Sequence, residues 1–278
     1  MPITMFDGIV ETDNLGLWDN PPRMVGDFAW LSDWQVPYHD PTFVKQALEL
    51  AYSWGIENLI LGGDFIDMAS FSKWLAPPTE NAEREFSTAE PIISSMVEAF
   101  RNTLWIQGNH EERLYNRLMK QIPYPRAMRV VLPRGMTVEE ESDVEAVWKH
   151  HNGNTIRIST YRWCEVDADE DGVFEWRGEH PKNTSVIPTK VACALSTRFG
   201  KNVIAGHGHL VGMARDITAD KWAIDSGIVA NPHSLEYSSR THSLRPSMAQ
   251  GAVLVKNCRP YLITPSTDFT AHLKMFSR

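Results

Sequence analysis

Four short clusters in this 278-residue sequence gather side chains that hold cations and move protons. The first is Leu31-Ser32-Asp33-Trp34-Gln35, where Asp33 closes an apolar run. The second, Gly63-Asp64-Phe65-Ile66-Asp67, follows a sharp glycine turn with two carboxylates, which repel at close range unless a proton or cation lies between them. The third, Gly108-Asn109-His110-Glu111, sets a neutral oxygen donor beside an imidazole. The fourth is Gly206-His207-Gly208-His209. Residues two apart on extended backbone share a face, and the intervening glycine lets both imidazoles reach one site. Each cluster also has an ordinary reading. Asp33 suits a turn, Asp64 a capped loop, Asn109 a helix N-cap and His110 a helix start. A His-x-His pair after a buried strand is seldom a packing device.

The surrounding pattern says what positions these clusters. Residues 24–32 read as a buried strand ending at Asp33, and residues 41–54 as a helix stopped by Gly55. A short strand at 58–61 runs into Gly62-Gly63-Asp64, and another at 103–106 runs into Gly108-Asn109-His110. Helices are expected at 79–102, with a break at Pro91, at 111–120 and at 189–199. A strand at 202–205 leads to the histidine pair. Short apolar strands alternating with helices imply a mostly parallel sheet covered on both faces, and ligands collect beyond the carboxyl ends of such strands. All four clusters sit at strand ends. Residues 135–175 read as an irregular insertion plus a hairpin, with a turn at 169–172. Runs at 212–217, 221–225, 251–255 and 260–263 suggest a second, largely antiparallel sheet packed on the first. Residues 1–22 read as an N-terminal arm and 23–278 as one domain.

Composition narrows the classes. Hydrophobic residues make up 42% and charged residues 22%, an ordinary globular balance. No apolar run approaches the ~18 residues of a membrane helix, so no membrane partner is expected. Residues 1–20 carry acids and no Lys or Arg, the wrong charge for a signal peptide, so a cytoplasmic location is expected. Cys164, Cys193 and Cys258 form no CxxC and read as free thiols. The net charge of −8 offers no obvious basic face for long duplex DNA, and suits a site that collects carboxylates around cations.

Taken together, the clusters resemble the calcineurin-like metallophosphoesterase family. Its motifs run D-x-H, G-D-x-x-D, G-N-H-E, a lone His, then G-H-x-H. The resemblance spans residues 24–261, and the short form is similar to phosphoesterases found in phage genomes. It implies a four-layer α/β/β/α sandwich, with two mixed sheets flanked by helices. It also implies two divalent metal ions, with manganese expected and iron, zinc, nickel or cobalt as alternatives. Asp64 would bridge them. Asp33, His209 and Gln35 would complete one site, and Asn109, His180 and His207 the other. Gln35 departs from the family's His and is a poorer ligand than imidazole for zinc or iron. The lone His is either His180, which follows a strand-like run, or His151; His180 is favoured.

The implied reaction is hydrolysis of a phosphomonoester or phosphodiester by a hydroxide that the two metals activate. His110 would serve the leaving group, oriented by Asp67, while Asn109, His110 and Arg113 would contact the substrate. Nucleotides and nucleic acids fall within that substrate class, and Trp34, Tyr38, Phe65, Phe71 and Trp74 are candidates to stack a base, or simply core. A DNA nuclease resembling the family's double-strand-break repair enzymes is the alternative activity. A non-catalytic scaffold of the same fold is the alternative class. Oligomeric state is not legible.

Overall fold

Leu59 and Leu61 point to one face of the strand Asn58–Leu61 and Ile60 to the other, and all are fully buried. Apolar matter must therefore cover both sides of this strand. The computed structural model describes residues 20–72, 81–118, 121–235 and 248–276, and shows what covers them. The strands are β1 (Arg23–Val25), β2 (Phe28–Leu31), β3 (Asn58–Leu61), β4 (Asn102–Ile106), β5 (Thr137–Glu141), β6 (Glu145–Lys149) and β7 (Thr155–Ser159). They continue with β8 (Trp163–Asp167), β9 (Trp176–Glu179), β10 (Asn202–Ala205), β11 (Val211–Arg215), β12 (Trp222–Ser226), β13 (Ala252–Lys256) and β14 (Arg259–Ile263). The helices are α1 (Pro41–Ser53), α2 (Ala82–Ala99), α3 (Glu111–Arg117), α4 (Tyr124–Ala127), α5 (Lys190–Phe199) and α6 (Phe269–Leu273).

Among the described residues one sheet runs β14-β13-β2-β3-β4-β7-β6-β5 and the other β1-β8-β9-β10-β12-β11. Both are mixed. β2, β3, β4 and β7 are mutually parallel, as are β9, β10 and β12. The period-two alternation sorts the core into layers. Leu31, Leu61 and Trp105 pack on Ala47 and Leu50 of α1, Ile93 of α2 and Tyr124 of α4. Trp30, Ile60, Leu104, Trp176, Ile204 and Val253 fill the space between the sheets. Ala192 of α5 closes the far side against Val203, Ala205 and Ala223. The result is the α/β/β/α sandwich, with two mixed sheets flanked by helices.

The structure differs from the sequence reading in four places. Residues 24–32 form two strands, because Gly26 turns the chain at a φ of 94° and sends β1 and β2 to different sheets. Helix α2 runs through Pro91 without a break. Its buried face, Ala89, Ile93, Met96 and Val97, outweighs one missing backbone bond. The hairpin β13–β14 joins the first sheet, with β13 pairing β2, so the strand-rich C-terminal region is divided between both sheets. Finally, 135–175 holds β5 to β8, three in the first sheet and one in the second. The turn expected at 169–172 is present, where the Asp167 carboxylate accepts the N–H groups of Asp171 and Gly172 at 3.2 and 2.8 Å. Among the described residues no helix is long and apolar enough to cross a membrane.

Two predictions concern these layers. Trp30 is fully buried between the sheets, with its indole against Gly62 and Gly178 and its Nε1 donating to Ser226 Oγ at 3.2 Å. Trp30→Ala should cost about 3–5 kcal/mol of stability, read from urea unfolding. Asp225, at the end of β12, accepts the Thr189 N–H at 2.7 Å and ties α5 to its sheet. Burial pushes its carboxyl up to about 6. An acid with a raised folded-state value stabilises most below its unfolded value near 4, and that contribution is lost as pH climbs through 6. Asp225→Asn should therefore gain stability relative to the wild type at pH 7.5, by about 3 kcal/mol at most, and lose that advantage at pH 4. A difference between the two proteins that does not change with pH would refute the assignment.

Candidate metal centre

The parallel strands stop at one end of the sandwich and hand the chain to tight turns. Asp33 follows β2, Asp64 follows β3, Asn109 and His110 follow β4, His180 follows β9, and His207 and His209 follow β10. Asp33, Gln35, Asp64, His207 and His209 have φ of 54°, 46°, 52°, 64° and 57°. Non-glycine residues seldom enter this left-handed region, and persist there where the surroundings over-determine them. Backbone bonds between the loops do that here. Asp33 N–H donates to Gly63 O at 3.0 Å, Gln35 N–H to Asp64 O at 2.9 Å and Ala249 N–H to His209 O at 3.1 Å. Two glycines are required by close approach. A Cβ on Gly63 would meet His180 Nδ1 at 2.6 Å, and one on Gly108 would strike Asp64 and Glu111.

Beneath the turns lies Glu111, fully buried in the first turn of α3. Its Oε2 accepts the N–H groups of Asp64 and Gly108 at 3.1 and 2.9 Å, and its Oε1 those of Phe65 and Ile66 at 2.6 and 3.2 Å. Burial, then the nearby Asp64 carboxylate, push Glu111 up to about 7, against the pull of its backbone donors.

Above it the side chains converge in two adjoining groups. In the first, Asp64 Oδ1 accepts the His110 N–H at 2.8 Å. Asp64 Oδ2 is buried with no hydrogen-bond partner among the described residues, 3.4 Å from His180 Nε2 and 3.6 Å from His110 Nε2. His180 Nδ1 donates to Gly62 O at 2.9 Å, which turns Nε2 toward Asp64 and Asn109 Oδ1, the latter at 3.1 Å. One ligand-type atom each from Asp64, His180 and His207 fits within a 4.8 Å span. In the second group, Asp33 Oδ2 accepts the His207 N–H at 2.9 Å and Asp33 Oδ1 lies 3.1 Å from His209 Nε2. Gln35 Nε2 lies 3.4 Å from His209 Nε2, while Gln35 Oε1 is buried with no hydrogen-bond partner among the described residues.

The charges of these groups are tightly linked. Burial works against the His180 cation, yet the Asp64 carboxylate overrides it and raises His180 to about 9. Burial and the neighbouring His180 lower His207 to about 4, so its ring is neutral near pH 7. Burial opposes ionisation of Asp64, but the adjacent His110 and His180 hold it well below the usual carboxylate range.

His110 sits against the first group with Nδ1 at 2.9 Å from Asp67 Oδ1 and 2.8 Å from Asp67 O. Burial opposes its protonation, and the Asp64 and Asp67 carboxylates raise its pKa in spite of that. Arg113 Nη1 donates to Asp67 O at 2.7 Å, and its Nη2 lies 3.0 Å from His110 Nε2.

Other sequence candidates lie elsewhere. His151 lies against His150 in the β6–β7 turn, with ring centroids 4.0 Å apart and the rings tilted at 54°. β7 starts opposite Asn102, the first residue of β4, so that turn is at the far end of the sheet from His110. Trp34 and Phe65 are fully buried and pack edge-on at 5.2 Å. Trp74 lies outside the described residues. Cys164, Cys193 and Cys258 are free thiols. Two residues at the centre escaped the sequence reading. Glu111 belonged to a quoted motif but read as a helix residue, and Arg162, whose backbone O accepts the His180 N–H at 2.7 Å, belongs to no motif.

No protein-family model matches the chain, and no curated protein matches it by sequence. Among solved structures it is similar to a dimetal phosphatase from Danio rerio. The identity is 10% and the TM-score 0.36, over 89% of this chain and 100% of that one. A likeness that distant carries no residue role across.

Glu111→Ala would strand four buried N–H groups, each costing about 1–3 kcal/mol when unmet. The expected loss is about 3 kcal/mol or more by urea unfolding. A loss below about 1 kcal/mol would mean that the two loops hold without it.

Proposed function

We propose that this protein is a metal-dependent phosphoesterase of the calcineurin-like kind, hydrolysing a phosphomonoester or phosphodiester. One observation carries the reading. Asp64 Oδ2 is buried and makes no hydrogen bond among the described residues, with His180 Nε2 at 3.4 Å and His110 Nε2 at 3.6 Å as ion-pair neighbours, beside a cluster of ligand-type atoms from Asp64, His180 and His207. A buried carboxylate oxygen without a hydrogen bond depends on the positive charge around it, and a cation would supply more of that charge than two imidazoles shared with other partners. The donor set fits. It mixes carboxylate, amide and imidazole, the ligands of manganese, iron, zinc, nickel and cobalt. Asp33, His209 and Gln35 would hold one ion, and Asn109, His180 and His207 the other, with Asp64 shared. Two amide oxygens beside two carboxylates tilt the set toward manganese. When bound, such a pair would lower the pKa of water and offset the charge of phosphate oxygens.

The remaining steps belong to the chain's own residues. His110 would deliver the proton for the leaving oxygen from Nε2 once Arg113 no longer faces that nitrogen, since Nδ1 is committed to Asp67. Asp67 orients the ring and favours its charged form. Arg113 Nη2 lies 3.0 Å from Nε2 and would have to move for that nitrogen to meet the substrate. Trp34 and Phe65, with no exposed face, are not a platform for a base.

Asp64→Asn should abolish both metal binding and turnover, read by metal content and by hydrolysis of an aryl phosphate and an aryl phosphodiester with manganese. His110→Ala should keep its metals and lose about 10²–10⁴ of the rate. A fully active Asp64→Asn enzyme would sink the proposal.

A further inference from the structure

The two ligand groups of the centre differ in what they offer an ion. Besides the shared Asp64, one has the imidazoles of His180 and His207 with the Asn109 amide, and the other has the Asp33 carboxylate, the His209 imidazole and the Gln35 amide. His180 Nδ1 donates to Gly62 O at 2.9 Å, which fixes its ring with Nε2 inward, and the His207 ring lies 5.0 Å away. Each group also holds an imidazole against a carboxylate. His180 Nε2 is 3.4 Å from Asp64 Oδ2, and His209 Nε2 is 3.1 Å from Asp33 Oδ1. An entering ion displaces one such contact on either side, so that cost does not tell the groups apart. The donor atoms do.

Gln35 makes the difference. It is fully buried, and its turn is fixed by the bonds of its own N–H to Asp64 O and of the Val36 N–H to Phe65 O, each 2.9 Å. The side chain ends against His209, with Nε2 3.4 Å from His209 Nε2. Oε1 is closed to solvent and has no hydrogen-bond partner among the described residues. A buried amide oxygen left without a donor is unfavourable, and a cation is a partner that can meet it. The oxygen is a weak ligand in return. A neutral oxygen suits a hard ion and holds the borderline ions less well than imidazole does.

We propose that Gln35 makes the Asp33 side of the centre the weaker half, which fills second and reversibly with an oxygen-preferring ion such as manganese, so that free manganese sets the fraction of the protein in its two-ion state. This rests on the phosphoesterase reading and adds a regulation to it.

The test uses the full chain stripped of metal, with manganese alone as the probe. By calorimetry, manganese should bind in two events whose Kd values differ by at least about tenfold. Gel filtration in metal-free buffer should then leave only the tighter ion on the chain. Gln35→His should tighten the weaker event by about tenfold or more and leave the tighter one near its wild-type value. Gln35→Leu should remove the weaker event alone, and the His variant carries the test if the Leu variant folds poorly. Turnover of an aryl phosphate should rise with free manganese across the weaker event, and should saturate at lower manganese in Gln35→His. Equal Kd values in the wild type, or a gap that Gln35→His does not narrow, would overturn the inference, and turnover with manganese would still keep the phosphoesterase reading. Loss of the tighter event in Gln35→Leu would also overturn it, by tying Gln35 to the other half. The binding readout needs no ester. Two unequal events drawn together by Gln35→His, in a protein that turns over no aryl ester, would sink that reading and leave the inference standing. A wild type that takes no manganese would end both.

Discussion

The Glu111 carboxylate accepts four backbone N–H groups, three from the loop after β3 and one from the loop after β4. Those loops carry Asp64 on one side and Asn109 and His110 on the other. Neither loop can shift without stranding a donor, so the spacing between these side chains is set from below. The same constraint explains the glycines. Gly108 must bring its backbone onto Asp64 and Glu111, and Gly63 must let His180 approach. Separate backbone bonds from loop to loop hold the left-handed residues, as where Asp33 N–H meets Gly63 O and Ala249 N–H meets His209 O.

On this floor the centre assembles more charge than it neutralises by hydrogen bonds. Asp33 and Asp64 are both buried, and both stay ionised because imidazoles crowd them. His180 gains a proton from that arrangement, while His207 is kept from gaining one. Under the proposed function a cation would take the place of the His180 proton, and the neutral His207 is already in the form that ligation needs. The two arginines divide the remaining positive charge. Arg113 is tied to the His110–Asp67 pair, and Arg162, whose backbone O takes the His180 N–H, has one edge unmet among the described residues.

Much of the scaffold was legible because buried parallel strands read as unbroken apolar runs that end at Gly, Asp or His. β3 and β10 fall where the runs at 58–61 and 202–205 lie. The convergence of Asp33, Asp64, Asn109, His207 and His209 was expected from their placement at strand ends, whereas His180 was favoured over His151 only through the family resemblance. What was not legible is pairing. Alternation says that β13 has two apolar faces, but an edge partner is chosen by tertiary packing, and β13 pairs β2. The exposed Glu-rich β5 carries no alternation at all and is a strand because β6 pairs with it. Glu111 looked like any acid in the first turn of a helix, a place acids favour anyway. Arg162 had no motif, and only burial without acceptors sets it apart.

Gln35 bears on the whole of the proposed centre. Where the family resemblance expects an imidazole, an amide sits 3.4 Å from His209 with its oxygen buried and unpartnered among the described residues. An imidazole brings one nitrogen ligand and a second nitrogen to anchor. The amide brings a hard oxygen, so the ion beside Asp33 would face three oxygens, from Asp33, Asp64 and Gln35, against the single nitrogen of His209. Hard oxygens favour manganese over the softer preference of zinc for nitrogen and sulfur. They also bind more weakly, so the ion on the Asp33 side would exchange sooner than the one held by His180 and His207. Under the proposed function such an asymmetry would trace to Gln35, held at a φ of 46° by its N–H bond to the Asp64 carbonyl.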